Sequence, residues 1–211
     1  MTLAVEQKRR FKVGTLGWTA DDLDDPRIER LWEQGRYEIV EGVLTEMPPA
    51  QYDASRPLVP LLTILSNHVG EQGRGGHFAV EVDLIVSRHR VAVVDAVYVT
   101  DAEERRQAAL YARKSKRKPR VRFGRLMIAP TLVIESLSQG HESHDRETKR
   151  RWYAEAGVPN YWILDAFRRT LECLVLNDNG AYRRDVAGKG KSELRPSLFP
   201  GLAIPLGKLW E

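Results

Sequence analysis

A chain of 211 residues, 42% hydrophobic and 29% charged, has ample material for one globular core and lies outside the disordered and fibrous classes. No apolar run approaches the ~18 residues of a bilayer span. The first residues lack the basic-then-apolar order of a signal peptide, and the single Cys173 excludes an internal disulfide or a cysteine zinc cage within one chain. A cytoplasmic protein with no membrane partner is expected. The net charge of +4 is local in origin: ten Lys or Arg and no Asp or Glu lie between Arg105 and Arg125, and the rest of the chain is net negative. Such a stretch suits a phosphate backbone, and equally a solvated loop.

In chain order, residues 1–25 are weakly patterned and read as a loosely structured lead-in to a single domain over 26–211. Asp25-Pro26 is a helix start, with Asp as cap and Pro at the first helical position, and Gly35 is the stop. RYEIV and VLTEM flank a two-residue Glu41-Gly42 turn, which predicts an N-terminal hairpin carrying Glu38. Residues 57–70 place Leu58, Leu61, Leu62, Leu65 and Val69 on one helical stripe, with Pro60 tolerated in the first turn. HFAVEVDLIV alternates, so that Phe78, Val80, Val82, Leu84 and Val86 are expected on one face and Glu81 and Asp83 on the other. VAVVDAVYV is nearly unbroken and reads as a central strand, with Asp95 in its middle. A helix over 102–113 leads into the basic insertion, at about 102–125.

Residues 130–165 are the chemical centre of the sequence. TLVIESL predicts a buried strand containing Glu135, and a carboxylate there requires a cationic partner. DRETKRRWYAEAG predicts an amphipathic helix whose inward face carries Asp145, Lys149, Trp152, Tyr153 and Ala156. Lys149 is the only amine on that face. YWILD returns as a strand, TLECLVL and AYRRDV continue as a meander, and LRPSLFPGLAIPLGKLW packs back on the sheet. If the strands of Asp95 and Glu135 pair, their carboxylates converge within reach of one divalent cation. Oxygen ligands favour Mg2+, with Mn2+ as the alternative, and the Ser136 carbonyl is a further candidate ligand. Lys149 would then orient a water or stabilise charge on phosphorus. The competing reading is a structural buried ion pair.

The series RYEIVEGVL, VVDAVYV, PTLVIESLS and HDRETKRRWYAEAGVPNYWILD resembles the Uma-two family of restriction-type endonucleases, within the PD-(D/E)XK nuclease superfamily, from about Arg36 to Trp210. The resemblance implies an α/β (α+β) fold: one restriction-endonuclease-like mixed sheet of four or five core strands flanked by helices. It implies metal-dependent phosphodiester cleavage, with Asp95 and Glu135 as the metal-binding acids and Lys149, from the helix, as the catalytic cation. Leu137 stands where many superfamily members carry the lysine. Glu38 matches the glutamate of the family's opening hairpin. Departures are Val94 for the motif proline, Ser136 for an aliphatic residue, and Ser138-Gln139-Gly140 for the usual Ser-Pro-Ser.

The expected substrate is DNA, met by Arg113, Lys114, Lys116, Arg117 and Lys118 of the insertion. Arg146 and Arg150 are expected to face solvent and steer it. By analogy, a homodimer would match a two-fold duplex site. His141 and His144 read as loop histidines rather than metal ligands, although His144 is placed to meet a phosphate. Asp145 reads as a helix cap, and Trp152, Tyr153, Tyr161 and Trp162 as core. The alternative function is a catalytically silent nucleic-acid-binding or scaffold protein on the same fold.

Overall fold

The computed structural model describes residues 11–49, 51–114, 124–140 and 142–211. Its centre is an eight-stranded mixed sheet in the order β2-β1-β4-β5-β6-β7-β8, with β3 paired to the other edge of β4. The strands are β1 (Tyr37–Val40), β2 (Val43–Glu46), β3 (His77–Ser87), β4 (Arg90–Val99), β5 (Leu132–Ser136), β6 (Asn160–Asp165), β7 (Thr170–Leu176) and β8 (Tyr182–Lys189). Among the strands described, only the pair β5 and β6 runs parallel, joined through a helical connection. The sheet is larger than the four or five core strands anticipated, because the hairpin β1–β2 and the meander β7–β8 extend it at both ends.

Helix α1 (Pro26–Trp32) starts as the sequence predicts: the Asp25 side chain accepts from the Arg27 amide at 2.9 Å, satisfying one orphan donor of the first turn. The Glu41-Gly42 turn takes φ values of 50° and 80°, the left-handed pair that a two-residue hairpin requires. A short helix, α2 (Tyr52–Ser55), precedes α3 (Leu58–Glu71). On α3, Leu58, Leu61, Leu65 and Val69 pack on one face of the sheet against Ala96, Ile134, Trp162 and Cys173. The closing segment brings Phe199, Leu202, Ile204 and Leu206 into the same core. The opposite face carries Val94, Val133, Tyr161 and Leu174, covered by Trp152 and Tyr153.

Part of the expected loose lead-in is ordered. Trp18 and Leu23 are fully buried with Trp32, Ile39 and Leu44 in a third cluster. A short 3-10 helix, Ala20–Asp24, leads into α1. One buried tryptophan anchors a stretch whose polar composition gives no periodic signal. Residues 1–10 lie outside the described residues.

The basic insertion begins on α4 (Asp101–Lys114). Lys116, Arg117 and Lys118 lie outside the described residues. The far end of the insertion is structural: Arg125 is buried, 3.5 Å from Asp83. The Gln107 side chain clamps it by donating to the Arg125 carbonyl at 2.7 Å and accepting from the Met127 amide at 2.9 Å.

The single face predicted for β3 is split. Phe78 joins the α3 side of the core, whereas Ala79, Val82 and Val86 pack on the other. The change of face occurs at Glu81, which has φ of 50°. Across the ladder, Ala92 and Val94 face one core and Ala96 and Tyr98 the other, so β4 changes face too, at Asp95. Val80 pairs with Ala96 and Val82 with Val94 in unchanged register, and Glu81 and Asp95 between them stand opposite one another without regular pairing. Irregularities of this kind re-aim side chains beside sites.

Candidate active site

The edge of β4 opposite β3 forks. Near its start it pairs with β1 at Ile39↔Val91, and near its end with β5 from Ala96↔Ile134 to Tyr98↔Leu132. Between these pairings, Val93 has no strand partner on that edge, yet its backbone groups need bonds. Side chains supply them: the Val93 amide donates to Glu38 Oε1 at 3.0 Å, and Lys149 Nζ donates to the Val93 carbonyl at 2.9 Å. The candidate catalytic groups meet in this gap.

Each arrives for a local reason. Alternation along β5 puts Val133, Glu135 and Leu137 on the side covered by the following helix, where Val133 and Leu137 are core. Asp95 stands one step beyond the last β4–β5 pair, opposite Glu135. Its Oδ2 accepts from the Ser136 amide at 2.7 Å, so a side chain continues the ladder that the backbone leaves. Lys149 lies 3.1 Å from both Glu135 Oε1 and Glu38 Oε1 and 3.6 Å from Asp145 Oδ1. Tyr153 donates to Glu135 Oε1 at 2.5 Å. The Ser136 hydroxyl donates to the Ala54 carbonyl, fastening β5 to α2.

The helix that delivers Lys149 departs from the α-helix predicted. His144–Lys149 forms a π-helical turn, followed by α5 (Arg150–Glu155). A wider turn rotates residues relative to one another, and such turns recur at functional sites. Here it places Asp145, His144 and Lys149 on the same cavity. The N-cap position is Ser143, and Asp145 lies inside the turn with its carboxylate 3.6 Å from Lys149, so it belongs to the cluster, which corrects its reading as a cap.

Burial and charge set the protonation tendencies. Burial raises the Glu135 carboxyl well above the ordinary range, and Asp95 and Asp145 add to this against the pull of Lys149. Burial also raises Asp145. For Glu38, burial alone would do the same, but Lys149 and His144 outweigh it and hold the carboxyl below its usual value. Burial alone would lower the Lys149 ammonium below its ordinary value. Glu135, Glu38 and Asp145 reverse that and keep it firmly charged.

Sequence reasoning overlooked the part of two residues. His144 Nε2 lies 3.1 Å from Glu38 Oε2, with its ring edge-on to Trp152. Tyr153, read as core, is core and also holds Glu135. The spacing of Tyr153 four residues beyond Lys149 was the available signal. Arg146 and Arg150 are not free solvent-facing groups. Arg146 pairs with Asp165 and Glu172 at 3.4 and 3.5 Å, and Arg150 donates to the Tyr182 carbonyl at 2.9 Å, because β6–β8 rise alongside the helix. Arg113 is exposed; for Lys114 the structure describes the backbone alone.

The site lines an open cavity of about 290 Å³. Glu38, Asp95, Glu135 and Asp145 surround a single buried ammonium, with Arg36 at the rim, 3.8 Å from Asp95 Oδ1. Among the described residues, no three His, Cys, Asp or Glu side chains already stand together as a metal cage. The donor chemistry, hard oxygens in excess of local positive charge, nevertheless suits a divalent cation.

A family model described as "Putative restriction endonuclease", Uma2, matches residues 26–207. The chain belongs to the Uma2 family. The match spans the hairpin of Glu38, the strands of Asp95 and Glu135, and the helix of Lys149. A crystal structure from Anabaena variabilis, described as a "putative nuclease belonging to DUF820", is similar over 84% of this chain and 90% of that one, with a TM-score of 0.64 and 16% sequence identity. At that identity the likeness is one of fold. No curated protein matches in sequence. Among the described residues, no helix is long and apolar enough to cross a membrane.

Proposed function

We propose that this chain is a divalent-metal-dependent endonuclease that hydrolyses phosphodiester bonds in DNA. The observation that carries the reading is the facing pair Asp95 and Glu135, set at the fork of the sheet with Lys149 3.1 Å from Glu135 at the edge of an open cavity. Asp95, Glu135 and the Ser136 carbonyl would hold Mg2+ or Mn2+, and the bound cation would supply Lewis acidity and an activated water. The protein's own part is positional. Tyr153 and Lys149 fix Glu135, the Ser136 amide fixes Asp95, and the Lys149 charge offsets negative charge developing on phosphorus. Arg113, Lys114 and the basic residues after them would attract the phosphate backbone.

A second reading, a nucleic-acid-binding protein that does not cut, is favoured by one observation. All three Lys149 protons are matched by contacts at 3.1 Å or less, to Val93, Glu38 and Glu135. The deciding experiment is cleavage of plasmid and single-stranded DNA with Mg2+, Mn2+ or EDTA, beside Glu135→Ala. Metal-dependent nicking lost in the variant supports the nuclease. Equal cutting by both proteins, or none, rejects it.

A further inference from the structure

The cavity has two unlike walls. The acids and Lys149 form one. The other is aliphatic: Met47 and Pro48 after β2, Leu58, Val59 and Leu62 on α3, and Val80 on β3. Val59 and Val80 are 69% and 55% exposed, two of the six large hydrophobic side chains so exposed among the described residues. Scattered exposed valines need no explanation, but these two border one cavity beside a charged cluster. Val80 is held there by the change of face at Glu81, because it immediately precedes the residue with φ of 50°.

This wall is unsuited to phosphate. Among the described residues its only cation is Arg36, which is already drawn to Asp95 and the Pro48 carbonyl. It offers instead an apolar surface edged by the polar side chains of Gln51, Ser55 and Ser138. A nucleobase has that character, with an apolar face and a hydrogen-bonding edge. The volume, about 290 Å³, is at the small end of ligand pockets and accommodates one nucleotide rather than a stacked base pair. A paired base in a duplex keeps its faces against its neighbours, so only an unpaired or extruded base can reach the wall.

Resting on the nuclease reading, we propose that the Val59–Val80 wall is a nucleobase subsite, and that the substrate presents an unpaired nucleotide beside the scissile phosphate.

The test is fluorescence anisotropy in EDTA with three labelled oligonucleotides: single-stranded, fully paired, and paired with one unpaired nucleotide. Each is titrated with wild type and with the V59S/V80S double variant, whose changes lie on exposed positions; its thermal midpoint is checked first. The expected result is roughly tenfold tighter binding of the two substrates with unpaired bases, the order of burying one apolar side chain, lost in the variant. Equal affinity for all three, an unaffected variant, or no binding at all overturns the subsite. Because binding is read without cutting, the two readings fail separately. Metal-dependent cleavage with a preference for paired DNA leaves the nuclease and removes the subsite. Selective, valine-dependent binding without cleavage does the reverse.

Discussion

Lys149 Nζ lies 2.9 Å from the Val93 carbonyl oxygen, at the place where a neighbouring strand would otherwise donate. The same ammonium is 3.1 Å from Glu38 and from Glu135. One side chain therefore completes a strand edge and offsets part of the charge of a buried acidic cluster. Lys149→Met removes both functions and leaves buried carboxylates uncompensated, an expected loss of about 3–5 kcal/mol. Urea unfolding at pH 7 measures it, and a loss under 1 kcal/mol would show that water replaces the lysine.

Glu135→Gln should behave differently. Burial already disfavours its charge, and Lys149 keeps Glu38 and Asp145 as partners, so stability should change by no more than about 1 kcal/mol. Nuclease activity should fall to background. A large destabilisation together with retained cutting would remove Glu135 from the chemistry.

If Asp95 and Glu135 bind a cation, millimolar Mn2+ should raise the wild-type Tm, since a ligand at about a hundred times its Kd adds roughly 2.7 kcal/mol. The rise should be absent in Asp95→Asn. Calorimetric titration of both proteins gives the same answer directly, and an equal rise in both would place the ion elsewhere.

Away from the site, Asp165 accepts from the Arg168 amide and from its guanidinium, each at 2.9 Å. Although burial opposes it, these bonds and the charges of Arg168 and Arg146 hold the carboxyl below its ordinary value. A depressed carboxyl stabilises the fold above its unfolded pKa, about 3.9, and the benefit fades as pH falls through the lower folded value. Asp165→Asn should cost about 1–3 kcal/mol at pH 7, with the gap to wild type closing in acid. Tm against pH for both proteins tests this; a constant gap would contradict it.

Gly76 has φ of 130°, and a Cβ there would stand 2.6 Å from the Val99 carbonyl oxygen, a backbone atom that cannot swing aside. Gly76→Ala should destabilise by about 1–3 kcal/mol through strain alone. A shift in urea midpoint at unchanged slope is the expected signature.

The elements were legible because they depend on local pattern. Asp25-Pro26 marks a helix start by cap chemistry, Glu41-Gly42 marks a tight turn, and the spacing from Leu58 to Val69 marks a buried helical face. Glu135 and Lys149 were legible for a related reason: a carboxylate in an aliphatic strand and an amine on an apolar helix face each demand an opposite charge nearby. The stripe that carried Lys149 also contained Tyr153, but an aromatic at helical spacing looks the same whether or not its hydroxyl has a task.

Tertiary structure decided the rest. The ordering of Trp18, the change of face at Glu81 and Asp95, the ion pairs of Arg146 and the approach of His144 to Glu38 all depend on chain segments far apart in sequence. The fork of β4 between β1 and β5 is the main such feature. Periodicity tells which face a residue takes along its own strand. It carries no information about where two partner strands part, and that parting opens the cavity in which the acids and the lysine meet.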